Sequence, residues 1–178
     1  DRTKAVIPVH LNGRLCDMGR LMDIANRHNL KVIEDAAQAL LGTFDGQMAG
    51  SFGNTGCFSL YPFKLLGAFG DGGIVTTNDE NVANIIRQLR DHGQDRSTGE
   101  VMRYGFNTRL DNIQAAILNL KLKKLPTWIE RSGEMEEICR RGLEEIPFVK
   151  LPNFGDTRYF DVYQNYVIKA ERRDELAK

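Results

Sequence analysis

The spacing of apolar and polar positions changes several times along the chain, and each change marks an element. AVIPVH, 5–10, is a short apolar run of the kind found in buried strands. Asp17 can cap the helix that follows, where Leu21, Ile24, Ala25 and His28 recur at helical spacing. LKVIEDA, 30–36, is a second strand with an apolar core and a carboxylate at its end. Strand, helix and strand in this order predict a parallel βαβ unit. Residues 42–56 form a glycine-rich loop with room for a hairpin, and GCFSLY, 56–61, and GGIVTTN, 72–78, are further strands. Asn78 or Asp79 can cap ENVANIIRQLRDHG, whose Val82, Ile85, Ile86 and Leu89 make an apolar stripe and whose Gly93 is a helix stop.

Residues 94–106 are polar and loop-like. LDNIQAAILNLKLKKL, 110–125, predicts a helix with Ile113, Ala116, Ile117 and Leu120 on one face, and Pro126 breaks or restarts it. A long helix, charged on its outer face, follows over 127–146. After Pro147 the texture changes: FVKLP, a polar loop, an alternating strand over 162–170, and a capped helix start at ERRDELAK. The domain boundary is expected along the 127–146 helix, which gives a first domain of residues 1–125 and a second, incomplete unit of 126–178.

Composition narrows the function classes. Of 178 residues, 42% are hydrophobic and 27% charged, which excludes a disordered chain. The net charge of zero argues against a broadly basic nucleic-acid binder or a polybasic membrane binder. Cys16, Cys57 and Cys139 are far apart and form no C-x-x-C pair, so neither a metal site nor a disulfide framework is expected, and the pattern fits a reducing cytoplasm. No apolar run approaches the ~20 residues of a membrane span, and no signal peptide is visible. The chain opens almost at once on a strand, without an initiator Met, and stops where a helix has just begun; a fragment of a longer protein is expected, a trimmed domain being the alternative.

The chemistry centres on FSLYPFKLLGAFGDGGIVTTND, 58–79, where one cation, Lys64, stands in an apolar, aromatic run. Either Lys64 snorkels to the surface or its amine is held inside for chemistry. Nucleophilic amines need the neutral form, and desolvation by Phe58, Tyr61 and Phe63 could favour it. Asp35 ends a strand, where open α/β sheets bind ligands, and can face a ligand cation or cap a turn. Ser59, five residues before Lys64, can serve as a phosphate ligand or do nothing of the kind. Gly67, Gly70, Gly72 and Gly73 allow sharp turns close to a ligand, yet make no G-x-x-x-x-G-K-[ST] phosphate loop. A carboxylate, a hydroxyl and a lysine are the parts pyridoxal phosphate needs, for its pyridine nitrogen, phosphate and aldehyde; Gln38 could reach its ring hydroxyl.

VIEDAAQA followed by GCFSLYPFKLLGAFGDGGIVTTND resembles the DegT/DnrJ/EryC1/StrS family of sugar aminotransferases. AVIPVHLNG, RDHG at 90–93, YGFNTRLDNIQAAIL at 104–118 and YQNYVIKAERRDEL near the end extend the resemblance over nearly the whole chain. It implies an α/β fold, the fold type I of pyridoxal-phosphate transferases, with a central mixed, mostly parallel sheet, flanking helices and the start of a small α+β domain. It implies that Lys64 is the Schiff-base lysine and proton shuttle, that Asp35 pairs with the pyridine nitrogen, that Gln38 contacts the ring hydroxyl and that Ser59 holds the phosphate. Asn107, in GFNTR, would reach the phosphate of a neighbouring subunit's cofactor, which makes a homodimer with shared sites the expected assembly. His10 and His92 are expected near the substrate, His10 being equally readable as structural. The substrates implied are an amino donor, L-glutamate, and a nucleotide-linked keto-sugar. Related sugar dehydratases carry His where this chain has Lys64, which favours the aminotransferase; a truncated, non-catalytic binder of cofactor or sugar nucleotide is the other alternative. Family members are roughly twice as long, so the residues here would form the central half of a site.

Overall fold

The computed structural model describes residues 2–153 and 155–177. The chain runs through β1 (Ala5–Val6), a 3-10 turn (Leu11–Gly13), α1 (Met18–Arg27), β2 (Lys31–Asp35), β3 (Thr43–Phe44), β4 (Gln47–Met48), β5 (Thr55–Ser59), β6 (Gly73–Thr76) and α2 (Glu80–Leu89). It continues through α3 (Asn112–Leu122), α4 (Leu125–Leu143), β7 (Val149–Lys150), β8 (Tyr159–Phe160), β9 (Lys169–Ala170) and α5 (Arg173–Leu176). Lys178, the last residue of the expected C-terminal helix, lies outside the described residues.

β1, β2 and β5 are parallel neighbours and β6 closes the sheet antiparallel to β5, so the order is β1–β2–β5–β6, mixed and mostly parallel. β1 is shorter than its apolar run because Pro8 has no N–H for the ladder. Its carbonyl still accepts from Asp35 N at 2.9 Å, and His10 N donates to Asp35 O at 3.0 Å, so the extended path continues to His10. The expected hairpin forms between β3 and β4 around Asp45–Gly46, both at positive φ, as a two-residue turn requires. β8 adds to its other edge.

The expected caps of α1 and α2 form, whereas α5 starts after Arg172 without a side-chain cap and α2 ends at Leu89, short of Gly93. The Asp17 carboxylate accepts from Arg20 N, and Asp79 from Asn81 N and Val82 N, each offsetting donors orphaned at a helix start. Pro126 sits in the first turn of α4, the one helical place that does not need its N–H.

Two apolar clusters hold the chain. One joins α1 to the inner face of β2 through Leu15, Met18, Ala25, Val32 and Phe44. The other gathers Leu60, Leu66 and Ala68 against Leu118, Leu125, Ile129 and Val162. Three expectations need correction. In α1 the buried positions are Met18 and Ala25, while Ile24 and His28 are exposed. In α3 the inward residue is Leu118, and Ile113 and Leu120, placed on the inner stripe by spacing, are 77% and 69% exposed, because this helix is apolar on more than one face. The alternating run at 162–170 is strand only at Lys169–Ala170. Its earlier backbone groups are taken elsewhere: Val162 N donates to Gly13 O and Asn165 N to Asn12 O, and Tyr163 turns to positive φ. No helix among the described residues is long and apolar enough to cross a membrane.

Candidate active site

β2 alternates, so its neighbours Glu34 and Asp35 face opposite sides of the sheet. Asp35 pairs in register with Cys57, and Ser59 lies two residues further along the same face of β5, beside Gly73 of β6. Asp35 and Ser59 therefore share one face near the carboxyl ends of two parallel strands, where such sheets accept ligands. Burial and the adjacent Asp35 carboxylate push the Cys57 thiol above its usual range. This face is only half covered: Asp35, Cys57 and Ser59 are partly accessible and every residue of β6 is exposed.

The polar atoms on this side keep bonding capacity. Asp35 Oδ1 accepts from Ala37 N at 3.1 Å, the tie of a turn after the strand. Gln38 Oε1 accepts from Asn12 N at 2.7 Å, which orients its NH₂ away from that bond. Ser59 Oγ accepts from Tyr61 N at 3.2 Å and retains its own proton to donate. Lys64 follows in a turn closed by its N–H on Tyr61 O at 2.9 Å, and its side chain is half-buried. Its amine enters none of the hydrogen bonds or ion pairs among the described residues. The aromatic enclosure expected around it is not formed by this chain: Phe63 is 81% and Tyr61 45% exposed, touching each other edge-on, while Phe58 packs into the first core cluster.

The loop carrying Lys64 is nonetheless fixed. Leu60 N donates to Gly72 O and Ala68 N to Leu60 O, both at 2.8 Å. Lys121 of α3 donates to Gly67 O at 2.5 Å, and Gln114 Oε1 accepts from Phe69 N at 2.8 Å. Gly67 is required here, since a Cβ would lie 2.2 Å from Pro62 O. Gln164 brackets Lys64: its Oε1 accepts from Leu65 N and its Nε2 donates to Phe63 O, each at 2.9 Å.

The opposite face is filled. Glu34, fully buried, accepts from Gly50 N at 2.8 Å, from Phe52 N and Gly53 N at 2.7 Å, and faces His10 Nε2 at 3.0 Å. Burial alone would raise the Glu34 carboxyl, but the His10 and amide hydrogen bonds outweigh it and hold the group below its ordinary value. His10 is also fully buried, and its Nδ1 accepts from Cys16 N at 3.2 Å. It offers no surface to a substrate in this chain.

Asn107 and His92 lie elsewhere, on the segment after α2. Asn107 is exposed and bridges Asp91, whose buried carboxylate is held by Arg96 and Arg109 at 3.1 Å. His92, exposed at positive φ, donates its N–H to Phe106 O at 2.9 Å. No hydrogen bond among the described residues joins either of them to Asp35, Gln38, Ser59 or Lys64. The sequence reading missed Glu34, Gln114, Lys121 and Gln164. Glu34 carried a signal, a carboxylate at an inward strand position; the other three needed contacts between segments far apart in the chain.

The family model of the DegT/DnrJ/EryC1/StrS aminotransferases matches residues 1–178. The chain belongs to this family. Among curated relatives it is 47% identical, over 98% of its length, to a UDP-N-acetyl-3-dehydro-alpha-D-glucosamine 3-aminotransferase of Acidithiobacillus ferrooxidans, of which it covers 47%. It is 43% identical, over 99% of its length, to a protein of Geobacillus stearothermophilus named a pleiotropic regulatory protein, again covering 47% of it. The solved structure of S. venezuelae DesV, in complex with a ketimine intermediate, superposes with a TM-score of 0.92 at 40% identity, over 98% of this chain and 47% of that one. The chain thus spans about half the length of the curated relatives it matches.

Proposed function

We propose that the protein is a pyridoxal-phosphate-dependent aminotransferase that moves an amino group from an amino acid, L-glutamate, to a nucleotide-linked keto-sugar. The observation that carries this reading is the open sheet face on which Asp35 and Ser59 stand together, followed directly by the braced loop of Lys64. The donor set fits the cofactor: a carboxylate for a pyridinium N–H, an amide NH₂ for the ring oxygen, a hydroxyl for the phosphate and a primary amine for the aldehyde. When bound, pyridoxal phosphate supplies an aldehyde that condenses with amines and a ring that accepts carbanion electrons.

The residues divide that work. Asp35 keeps a positive charge on the ring nitrogen by charge-assisted hydrogen bonding. Ser59 would anchor the phosphate end and Gln38 would donate its amide NH₂ to the ring oxygen. Lys64 holds the aldehyde end, and its amine, once free and neutral, carries a proton away from and back to carbon as a general base and acid. The name of the Acidithiobacillus relative supports a nucleotide-sugar acceptor.

Asn107, with the exposed apolar side chains of Tyr104, Phe106 and Ile113 close to it in the sequence, supports a homodimer with shared sites. We place the large domain at 1–125 and the beginning of the small domain at 126–178, in a cytoplasmic enzyme.

The test is borohydride reduction of the protein as encoded in the presence of pyridoxal phosphate, with the adduct located by mass spectrometry, beside turnover assays. A saturable adduct on Lys64, and Lys64→Ala without adduct or transamination, are expected. Near-normal turnover in Lys64→Ala would sink the assignment.

A further inference from the structure

Resting on the reading of Lys64 as the cofactor lysine, we propose that Gln164 is a positioning residue that sets the direction of the Lys64 side chain. A primary amide presents an acceptor and a donor side by side. Gln164 uses them on Leu65 N and Phe63 O, the peptide groups on either side of the Lys64 Cα, at 2.9 Å each. One side chain thereby does for Lys64 what a neighbouring strand does for a residue in a sheet: it restrains the backbone on both sides of the Cα at once. The lysine stem has many rotamers, so the Cα–Cβ direction decides which region the amine samples, and small misplacements cost rate steeply.

Gln164 is itself anchored. Val162 is fully buried in the second core cluster, and its N–H reaches Gly13 O at 3.0 Å. Asn165 N donates to Asn12 O at 3.4 Å. The approach is close enough that a Cβ on Gly13, at φ +99, would lie 2.7 Å from Tyr163 N and 2.8 Å from Gln164 N. Asn12 N is also the donor to Gln38. The segment 162–165 therefore fastens the loops of Gln38 and Lys64 into one frame, although it lies about a hundred residues beyond Lys64 and has no reactive group of its own. This also explains why it leaves the strand path its alternation predicts.

The experiment uses the protein as encoded, freed of cofactor, with Gln164→Met, which keeps length but loses both bonds, and Gln164→Glu, which keeps the acceptor for Leu65 N and sets oxygen against Phe63 O. Two quantities are read: the rate at which pyridoxal phosphate becomes borohydride-fixable on Lys64, and the affinity for pyridoxamine phosphate, which lacks the aldehyde and does not use Lys64 covalently. Capture on Lys64 is expected to slow about tenfold in both variants, while pyridoxamine phosphate affinity stays within about twofold. A capture rate unchanged in both variants overturns the proposal. So does a parallel loss of both quantities, which would make Gln164 a general structural tie. If Gln164→Met does not fold by circular dichroism, Gln164→Glu carries the comparison. A wild-type protein that captures nothing on Lys64 overturns the aminotransferase reading and this one with it, whereas normal wild-type capture with unaffected variants removes only the role of Gln164.

Discussion

Glu34 and Asp35 are the same chemistry one peptide apart, and the fold treats them in opposite ways. Glu34 points into the protein, is fully buried and accepts from three backbone amides as well as facing His10. Asp35 points to the half-covered face and holds one amide, Ala37 N. A buried carboxylate is tolerable only with its acceptor sites filled, and Glu34 meets that condition by folding the glycine-rich loop 50–53 around itself. Asp35 keeps lone pairs on the half-covered face that its one bond, from Ala37 N, does not use. Of two adjacent carboxylates, the saturated one is architecture and the unsaturated one is the functional candidate.

The largest way to break this comparison is Glu34→Ala. It leaves the amides of Gly50, Phe52 and Gly53 and the His10 ring without their acceptor in a buried site, so a loss of about 3–5 kcal/mol is expected. Urea denaturation of the protein as encoded measures it, and a loss below about 1 kcal/mol would mean that water or a rearranged loop replaces the carboxylate. Gly67→Ala comes next, at about 2–3 kcal/mol, because the Cβ contact with Pro62 O is to backbone that cannot turn aside. It should also slow capture of pyridoxal phosphate on Lys64, since the same turn carries that residue.

The charge state of Glu34 gives a subtler test. Its carboxyl is held below the ordinary value in the folded protein, so the unfolded chain takes up the proton first as pH falls. The stabilisation is complete above the unfolded value, near pH 4.5, and is lost as pH drops through the folded one. Glu34→Gln should therefore flatten the part of the stability profile below about pH 4.5, measured as melting temperature against pH. A variant whose acid limb retained the wild-type slope would show that Glu34 does not govern it.

What could be read from the chain was local. The run LKVIEDA put the Asp35 carboxylate at a strand end, Asp17 and the pair Asn78–Asp79 marked helix starts, and the glycine-rich loop over 42–56 left room for a hairpin, which the structure turns at Asp45–Gly46. The long motif around Lys64 named the chemistry through family resemblance, while its spacing alone could not separate a catalytic lysine from a snorkelling one. What could not be read depends on which partner a segment meets. VYQNYVI alternates like a strand, but its backbone groups are spent on Asn12 and Gly13, and its Gln164 on the Lys64 loop. In α3, apolar residues lie on more than one face, and periodicity cannot tell a face packed within the chain from one such as Ile113 and Leu120 that this chain leaves open. Phe58, Tyr61 and Phe63 failed as an enclosure for a similar reason, since a run of aromatics in sequence does not fix where each ring points.

The smallest expected change in stability is the most informative for function. Asp35→Ala removes one accepted hydrogen bond in a turn and leaves no buried donor cluster behind, so the folded state should lose no more than about 1 kcal/mol. If Asp35 holds the ring nitrogen of the cofactor, the same variant should bind pyridoxamine phosphate about tenfold or more weakly, because a charge-assisted hydrogen bond is lost from the complex and not from the free protein. Fluorescence titration beside a urea melt separates the two quantities. Large destabilisation with unchanged affinity would reverse the comparison and make Asp35 a second structural carboxylate. Unchanged stability with lost affinity would show that two neighbouring residues of one strand divide the work, Glu34 building the sheet's covered side and Asp35 serving the open one.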